Sequence, residues 1–236
     1  MPHFLIENYI EKENSLEVNN EEILKHLFVM RCKVGEIVKF INAEKTVFLA
    51  KTTEINKKIG KFEIVEKYNS ERELDFNICL CFSILKNALS EAVANAVQVG
   101  VKTIQPVLSD YCAVKKNTIK LEKLQKIALE NFKQCERADI PKISEEKKLK
   151  DFLKNKENVI VFGEREVNTT LKEAVSKIDR NKEITIVIGP EGGFSDEEFE
   201  FFKKNNFPIV TLGKTILKAE NAIVAGVSNA VYELSR

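Results

Sequence analysis

Gly189-Pro190-Glu191-Gly192-Gly193 is the stretch of this chain best suited to hold a ligand. Its three glycines strip away side chains, so main-chain amides and carbonyls can approach a bound molecule closely. The stretch follows Ile184–Ile188, a β-branched run apolar on both faces, as in a parallel strand covered by helices. Ser195 reads as a helix N-cap, and Glu198 three residues later completes a capping box. Asp196, Glu197 and Glu198 crowd that helix start with negative charge, which opposes a phosphate where phosphate-binding loops hold one. A cationic or zwitterionic ligand suits the charge better; the alternative is a tight strand-to-helix turn that holds nothing.

A second segment, Pro208 to Ala222, repeats the logic with a short apolar strand, a turn at Gly213 and a helix. Gly213-Lys214-Thr215 imitates the end of a Walker A loop, but the glycine required five positions earlier is Pro208, within a strand-like run. Neither loop reads G-x-G-x-x-G. Nucleotide hydrolysis and a Rossmann dinucleotide site are both disfavoured.

These loops need a scaffold, and the second part of the chain supplies one. Strands are expected at Phe76–Ser83, Thr103–Val107, Val159–Phe162, Ile184–Ile188 and Pro208–Leu212. Helices are expected over Leu85–Val99, Leu121–Cys135 and Leu171–Ile178, after Ser195, and over Lys218–Leu234. Such alternation predicts a parallel sheet covered on both faces. The last helix carries Ile223, Val227, Val231 and Leu234 on one stripe beside the small residues Ala219, Ala222, Ala225, Gly226 and Ala230. A polar stretch, Asn69–Glu73, marks a boundary, giving domains 1–72 and 73–236. Before it lie strand candidates Phe4–Ile6, Glu36–Ile41, Thr46–Thr53 and Lys61–Glu66 with one helix near Glu21–Met30, which predicts a small β-barrel.

Composition narrows the function classes only a little. With 37 basic and 36 acidic residues, net charge offers no argument for nucleic acid, so any such surface rests on local clusters. Lys57, Lys58 and Lys61 form one, and Lys115, Lys116, Lys120 and Lys123 another; solvated surface lysines explain either alone. Five cysteines without a C-x-x-C pair imply neither a disulfide framework nor a metal site, and Cys79 and Cys81 read as core residues. The first residues have neither a basic leader nor a long apolar core, and no run reaches membrane-spanning length. A reduced, cytoplasmic protein is expected.

Val187-Ile-Gly-Pro-Glu-Gly-Gly-Phe-Ser195, followed by Leu212-Gly-x-x-Ile-Leu-x-x-Glu-x-Ala222, resembles the paired C-terminal motifs of the RsmE family, the 16S ribosomal RNA uridine N3-methyltransferases of the SPOUT class. His26-Leu-x-Val-Met-Arg-x-Lys-x-Gly35 is similar to the family's N-terminal stretch, and Ile127-Ala-x-Glu130 with Gln134 and Arg137 to its middle helix. The resemblance implies an α/β, SPOUT-type parallel sheet with a C-terminal trefoil knot, preceded by a PUA-like RNA-binding β-barrel. It also implies S-adenosylmethionine as methyl donor, 16S ribosomal RNA in the small subunit as acceptor, and a homodimer in which the last helices cross.

For the donor the resemblance implies a cleft made by Phe162, Gly163 and Glu164, by Ile188, Gly189, Glu191, Gly192 and Gly193, and by Leu212, Gly213, Ile216, Leu217 and Ala222. Backbone groups of Leu212, Ile216 and Leu217 would read the adenine edge. Uridine N3 is an imide nitrogen that must shed a proton, so a base or a charge-stabilising cation is needed. Lys218, Glu191 and Asn221 are the positions implied for this chemistry, with Lys218 facing RNA or stabilising charge. Glu220 is a further motif carboxylate. Arg31, Lys33, Arg137 and Arg165 are implied for RNA binding.

Several positions depart from the family's pattern. Thr215, Lys218 and Asn221 stand where it usually has arginine, arginine and threonine; Asn95 and Gln98 stand at a lysine and a glutamate; Tyr111 and Phe28 stand at arginines. Thr215 loses a charge, and lysine lacks arginine's planar fork. These changes bear on RNA grip and catalysis more than on a donor site built from main chain. They leave open a non-catalytic RNA-binding or ribosome-assembly protein, or a SPOUT enzyme for another nucleoside.

Overall fold

A computed structural model describes residues 3–114 and 119–236. Two compact units emerge, one formed by Met1–Glu73 with Phe132–Asp139 and the other by Leu74–Asn131 with Ile140–Arg236.

In the first unit, β1 (His3–Leu5), β2 (Tyr9–Lys12), β3 (Ser15–Val18), α1 (Glu21–Val29), β4 (Ile37–Ile41), β5 (Thr46–Ile55) and β6 (Gly60–Asn69) follow one another. The strands form one sheet in the order β1-β4-β5-β6-β3-β2, parallel only at β1–β4. Opposed pairs such as Phe40 with Phe48 and Leu16 with Phe62 build its apolar face, joined by Phe4, Val38 and Leu27 of α1. Asn20 caps α1 by accepting the Ile23 N–H at 3.1 Å.

The expected barrel does not close: among the described residues β1 and β2 are the two edges of an open sheet. The 132–139 segment packs against β1. His3 Nε2 donates to the Arg137 carbonyl at 3.1 Å, and its ring packs 5.2 Å from that of Phe132. The β2–β3 hairpin was not anticipated, because its turn at Glu13 (φ 42°) lacks the usual glycine.

The second unit runs β7 (Ile78–Ser83), α2 (Leu89–Gln98), β8 (Thr103–Leu108), α3 (Leu121–Cys135), β9 (Lys142–Ile143), β10 (Lys147–Lys148), α4 (Leu149–Leu153), β11 (Val159–Phe162), α5 (Leu171–Val175), β12 (Ile184–Ile188), α6 (Asp196–Lys204), β13 (Ile209–Val210) and α7 (Ala219–Leu234). The end of α3, from Phe132, belongs to the first unit. Every strand pair is parallel, in the order β10-β8-β7-β12-β11-β13 with β9 also on β8. A mixed α/β fold with a parallel sheet is therefore present, as read from the alternation.

Two expected bounds shift for identifiable reasons. α2 begins at Leu89 because Ile84 still bonds to the sheet, its N–H donating to Val107 O at 3.0 Å, while Leu85 is buried. β13 shrinks to two residues because Thr211 turns back, accepting the Gly213 N–H on its hydroxyl at 3.2 Å.

Register sets the position of the loops. Phe82 lies beside Ile188, Ile188 beside Phe162 and Phe162 beside Val210, so β7, β12, β11 and β13 end nearly level. Their following loops must converge at the carboxyl edge of the sheet, where open α/β sheets hold ligands. Beneath them α7 packs on β12, α2 and α5. A Cβ at Gly226 would meet Ile188 Cδ1 at 3.2 Å and the Phe162 ring at 3.3 Å, so part of the small-residue stripe serves packing within this chain.

Candidate functional site

A cleft of about 560 Å³ opens at this level edge. Phe162, Gly163 and Glu164 line it after β11, Ile188 through Glu191 with Gly193 and Phe194 after β12, and Thr211 through Glu220 with Ala222 after β13. Of the residues expected to hold a cofactor, only Gly192 stands outside the lining. Asn87 and Ala88, from the chain leaving β7, complete the wall and were missed. The signal that would have found them is β7–β12 pairing, which sequence periodicity does not reveal.

The glycine loop is braced from behind. Ser195 caps α6 by accepting the Glu198 N–H at 3.1 Å, and Glu198 Oε2 accepts the Ser195 N–H at 2.9 Å, which is the capping box read from sequence. Glu198 Oε1 also accepts the Asp110 N–H at 2.9 Å, while the Ser195 hydroxyl donates to Asp110 Oδ2 at 2.5 Å. Burial pushes the Glu198 carboxyl above its ordinary range, partly countered by the backbone hydrogen bonds from Ser195 and Asp110.

Arg165, expected to face RNA, is exposed and also joins the same brace. Its Nη1 donates to Asp196 Oδ1 at 2.6 Å, its Nη2 to the Phe194 carbonyl at 2.9 Å, and the guanidinium lies 4.8 Å from the Phe199 ring centroid. Two of the three acidic groups at the α6 start are therefore occupied, Asp196 by Arg165 and Glu198 by backbone.

Inside the cleft the charges are mixed. Glu164, Glu191 and Glu220 share it with Lys214 and Lys218. Glu191 Oε1 accepts the Lys86 N–H at 3.3 Å, tying its loop to the chain after β7. Lys218 occupies the N-cap position of α7 without a side-chain cap bond. Asn221, expected to act in the chemistry, is exposed on the first turn of α7 and does not line the cleft.

The cleft has room and unspent donors. At Gly213 (φ +130°) an added Cβ would meet nothing within 4 Å and would project into open space. Among the described residues the N–H groups of Ile216 and Leu217 donate to no protein acceptor. Ile216 is 82 % exposed in the cleft lining. The arrangement suits a ligand with a heterocycle to be read by main-chain groups and a zwitterionic end.

The remaining expected RNA residues separate. Arg31 and Lys33 are exposed in the first unit after α1. Arg137 is buried, its Nε and Nη2 donating to Glu73 at 3.1 and 2.7 Å; it braces that unit and does not present its charge outward. Lys61 pairs with Glu54 at 2.7 Å, and Lys115 and Lys116 lie outside the described residues. Cys79 and Cys81 are buried core residues, and desolvation pushes the Cys79 thiol up to about 12. No helix among the described residues is long and apolar enough to cross a membrane.

Comparison with known proteins places this geometry. Residues 72–231 match the model of the RNA methyltransferase domain. A Mesomycoplasma hyopneumoniae protein named ribosomal RNA small subunit methyltransferase E is 34 % identical over 172 residues, 70 % of this chain and 74 % of its own. The Rickettsia conorii protein of the same name is 29 % identical over 205 residues, 85 % of this chain and 82 % of its own. Among solved structures, the Neisseria gonorrhoeae ribosomal RNA small subunit methyltransferase E bound to S-adenosyl methionine superposes with a TM-score of 0.83 at 24 % identity, over 97 % of this chain and 96 % of that one, which speaks for the fold.

Proposed function

The chain belongs to the ribosomal RNA small subunit methyltransferase E family, and from that membership we propose that it transfers a methyl group from S-adenosylmethionine to N3 of a uridine in 16S ribosomal RNA. The observation that carries the reading is the convergence of the β11, β12 and β13 loops into one cleft with unspent main-chain donors at Ile216 and Leu217.

The donor fits these residues. Ile216, Leu217 and Phe162 offer an apolar slot with main-chain donors for the adenine, while the mixed Glu164, Glu191, Glu220, Lys214 and Lys218 charges suit an amino acid's two ends. When bound, the sulfonium supplies an electrophilic methyl, so the protein needs to position a nucleophile rather than form a covalent intermediate. Glu191, whose carboxylate accepts the Lys86 N–H, is the base that takes the N3 proton. Lys218 stabilises the charge that develops on the flanking carbonyl oxygens. Asn221, exposed on α7, acts from outside the cleft, toward RNA.

The finer architecture is part of the proposal. The second unit is a SPOUT domain whose C-terminal segment forms a trefoil knot, and the first is a PUA-like RNA-binding domain that presents Arg31 and Lys33. Two chains associate through α7, whose Val224 and Tyr232 are exposed at 36 % and 63 %.

The test is incubation with labelled S-adenosylmethionine and small ribosomal subunits lacking the modification, followed by nucleoside mapping. N3-methyluridine is expected; label in a different nucleoside would redirect the substrate assignment, and no label would overturn the reading.

A further inference from the structure

Tyr111 stands against the glycine loop. Its side chain is 54 % exposed, and among the described residues its hydroxyl has no hydrogen-bond partner and its ring no ring partner. Exposed tyrosines are common; this one differs in its footing.

The turn that carries it is fixed from several sides. The Cys112 N–H closes the turn on the Ser109 carbonyl at 3.1 Å, and the Cys112 thiol donates to the Ile84 carbonyl at 3.1 Å. Asp110, immediately before Tyr111, receives the Ser195 hydroxyl and gives its N–H to Glu198, with Lys150 Nζ 3.6 Å from its carboxylate. Glu198 is the buried carboxylate of the α6 capping box, so the turn that carries Tyr111 is tied to the same brace that holds the glycine loop.

Its position is against the glycine loop. A Cβ on Gly192 would lie 3.3 Å from Tyr111 Cβ and 3.6 Å from its carbonyl oxygen, so glycine there lets the two segments touch. Glu191 and Gly193, on either side of Gly192, line the cleft. Tyr111 therefore touches the loop at Gly192, between two residues that line the cleft.

We propose that the Tyr111 ring is the stacking platform for the uracil of the acceptor nucleotide, holding it at the rim of the cleft. The inference rests on the cleft being the methyl-donor site. A flat ring has two faces and no need of sequence-specific hydrogen bonds, and a platform held by hydrogen bonds loses little freedom when a base settles on it.

The test compares wild type, Tyr111→Phe and Tyr111→Ala for binding to unmodified small ribosomal subunits in the presence of S-adenosylhomocysteine, and for methyl transfer. Phe keeps the platform and binds within about twofold of wild type; Ala binds roughly tenfold or more weakly, as removal of a base–aromatic stack requires. Donor affinity is the same in all three. Equal binding by Ala and wild type overturns the proposal, and so does a loss with Phe as large as with Ala, since that would assign the effect to the hydroxyl. Transfer by wild type together with an unaffected Ala variant leaves the enzymatic reading standing and this one refuted. Binding without transfer by wild type refutes the enzymatic reading, while the Phe and Ala comparison still decides the stack.

Discussion

Gly193 and Glu164 face each other across the cleft wall so closely that a Cβ on Gly193 would sit 2.8 Å from Glu164 Oε1. Gly193 also has φ +73°, a conformation L side chains rarely adopt. Gly193→Ala is therefore expected to lose about 1–2 kcal/mol of stability from the backbone term and to weaken donor binding by pushing Glu164 into the cleft. Adding Glu164→Ala should restore part of the binding and none of the stability. Recovery of the melting temperature in the double variant would show that the carboxylate, not φ, sets the cost.

Ser195 closes the brace behind the loop. Ser195→Ala removes an N-cap, worth about 1 kcal/mol, and takes the hydroxyl from Asp110. Chemical denaturation should show that loss, and fluorescence of Tyr111, followed in a variant lacking the other tyrosines, should show a more mobile ring. Unchanged stability would mean that the box contributes nothing to the loop.

Glu198 gives a pH signature. Its folded-state carboxyl lies above the ordinary value of 4.5 because of burial, so between 4.5 and that raised value the folded state binds more protons than the unfolded one. Stability contributed at this site accordingly falls as pH rises through that window and is higher below it. In Glu198→Gln the difference from wild type should follow this slope, with Gln losing one of two backbone acceptors and costing about 1 kcal/mol at neutral pH. A difference that is flat across acid pH would contradict the assignment.

Gly226 links packing to the site, since its missing Cβ leaves space for Ile188 and Phe162, both in the cleft wall. Gly226→Leu overfills that contact and should cost about 1–3 kcal/mol or more while weakening donor binding. Gly226→Ala should stay within about 1 kcal/mol of wild type, because the helix gain from alanine offsets mild crowding. Tight donor binding by the Leu variant would separate the helix from the cleft.

Arg137 and Glu73 form a buried, two-pronged pair. Removing either partner should cost about 3–5 kcal/mol, with the double alanine variant little worse than either single one. If Arg137→Ala were stable and instead lost affinity for RNA, the structural role assigned to Arg137 would be wrong.

What the sequence revealed and what it hid follow from the range of the forces involved. Ser195 with Glu198, and the β-branched run to Ile188, are local signals, and both elements formed where read. The loops at Gly163, Gly192 and Gly213 were read as one cleft through resemblance, and their meeting depends on the level register of β11, β12 and β13, which no single segment encodes. The resemblance implied RNA binding by Arg165 and Arg137; their partners Asp196 and Glu73, 31 and 64 positions away, are not legible in sequence. The packing of residues 132–139 with the first unit was hidden for the same reason. Asn87 and Ala88 entered the cleft through strand pairing alone.

The claim that the cleft binds the methyl donor is tested most directly by calorimetric titration of S-adenosylmethionine into wild type and Ile216→Asp. Ile216 is 82 % exposed, so the fold tolerates the change, while a carboxylate in the apolar slot opposes the adenine. The account predicts saturable, one-site binding by wild type and at least tenfold weaker binding by Ile216→Asp at an unchanged melting temperature. Equal affinity in the two proteins would place the donor elsewhere and contradict it.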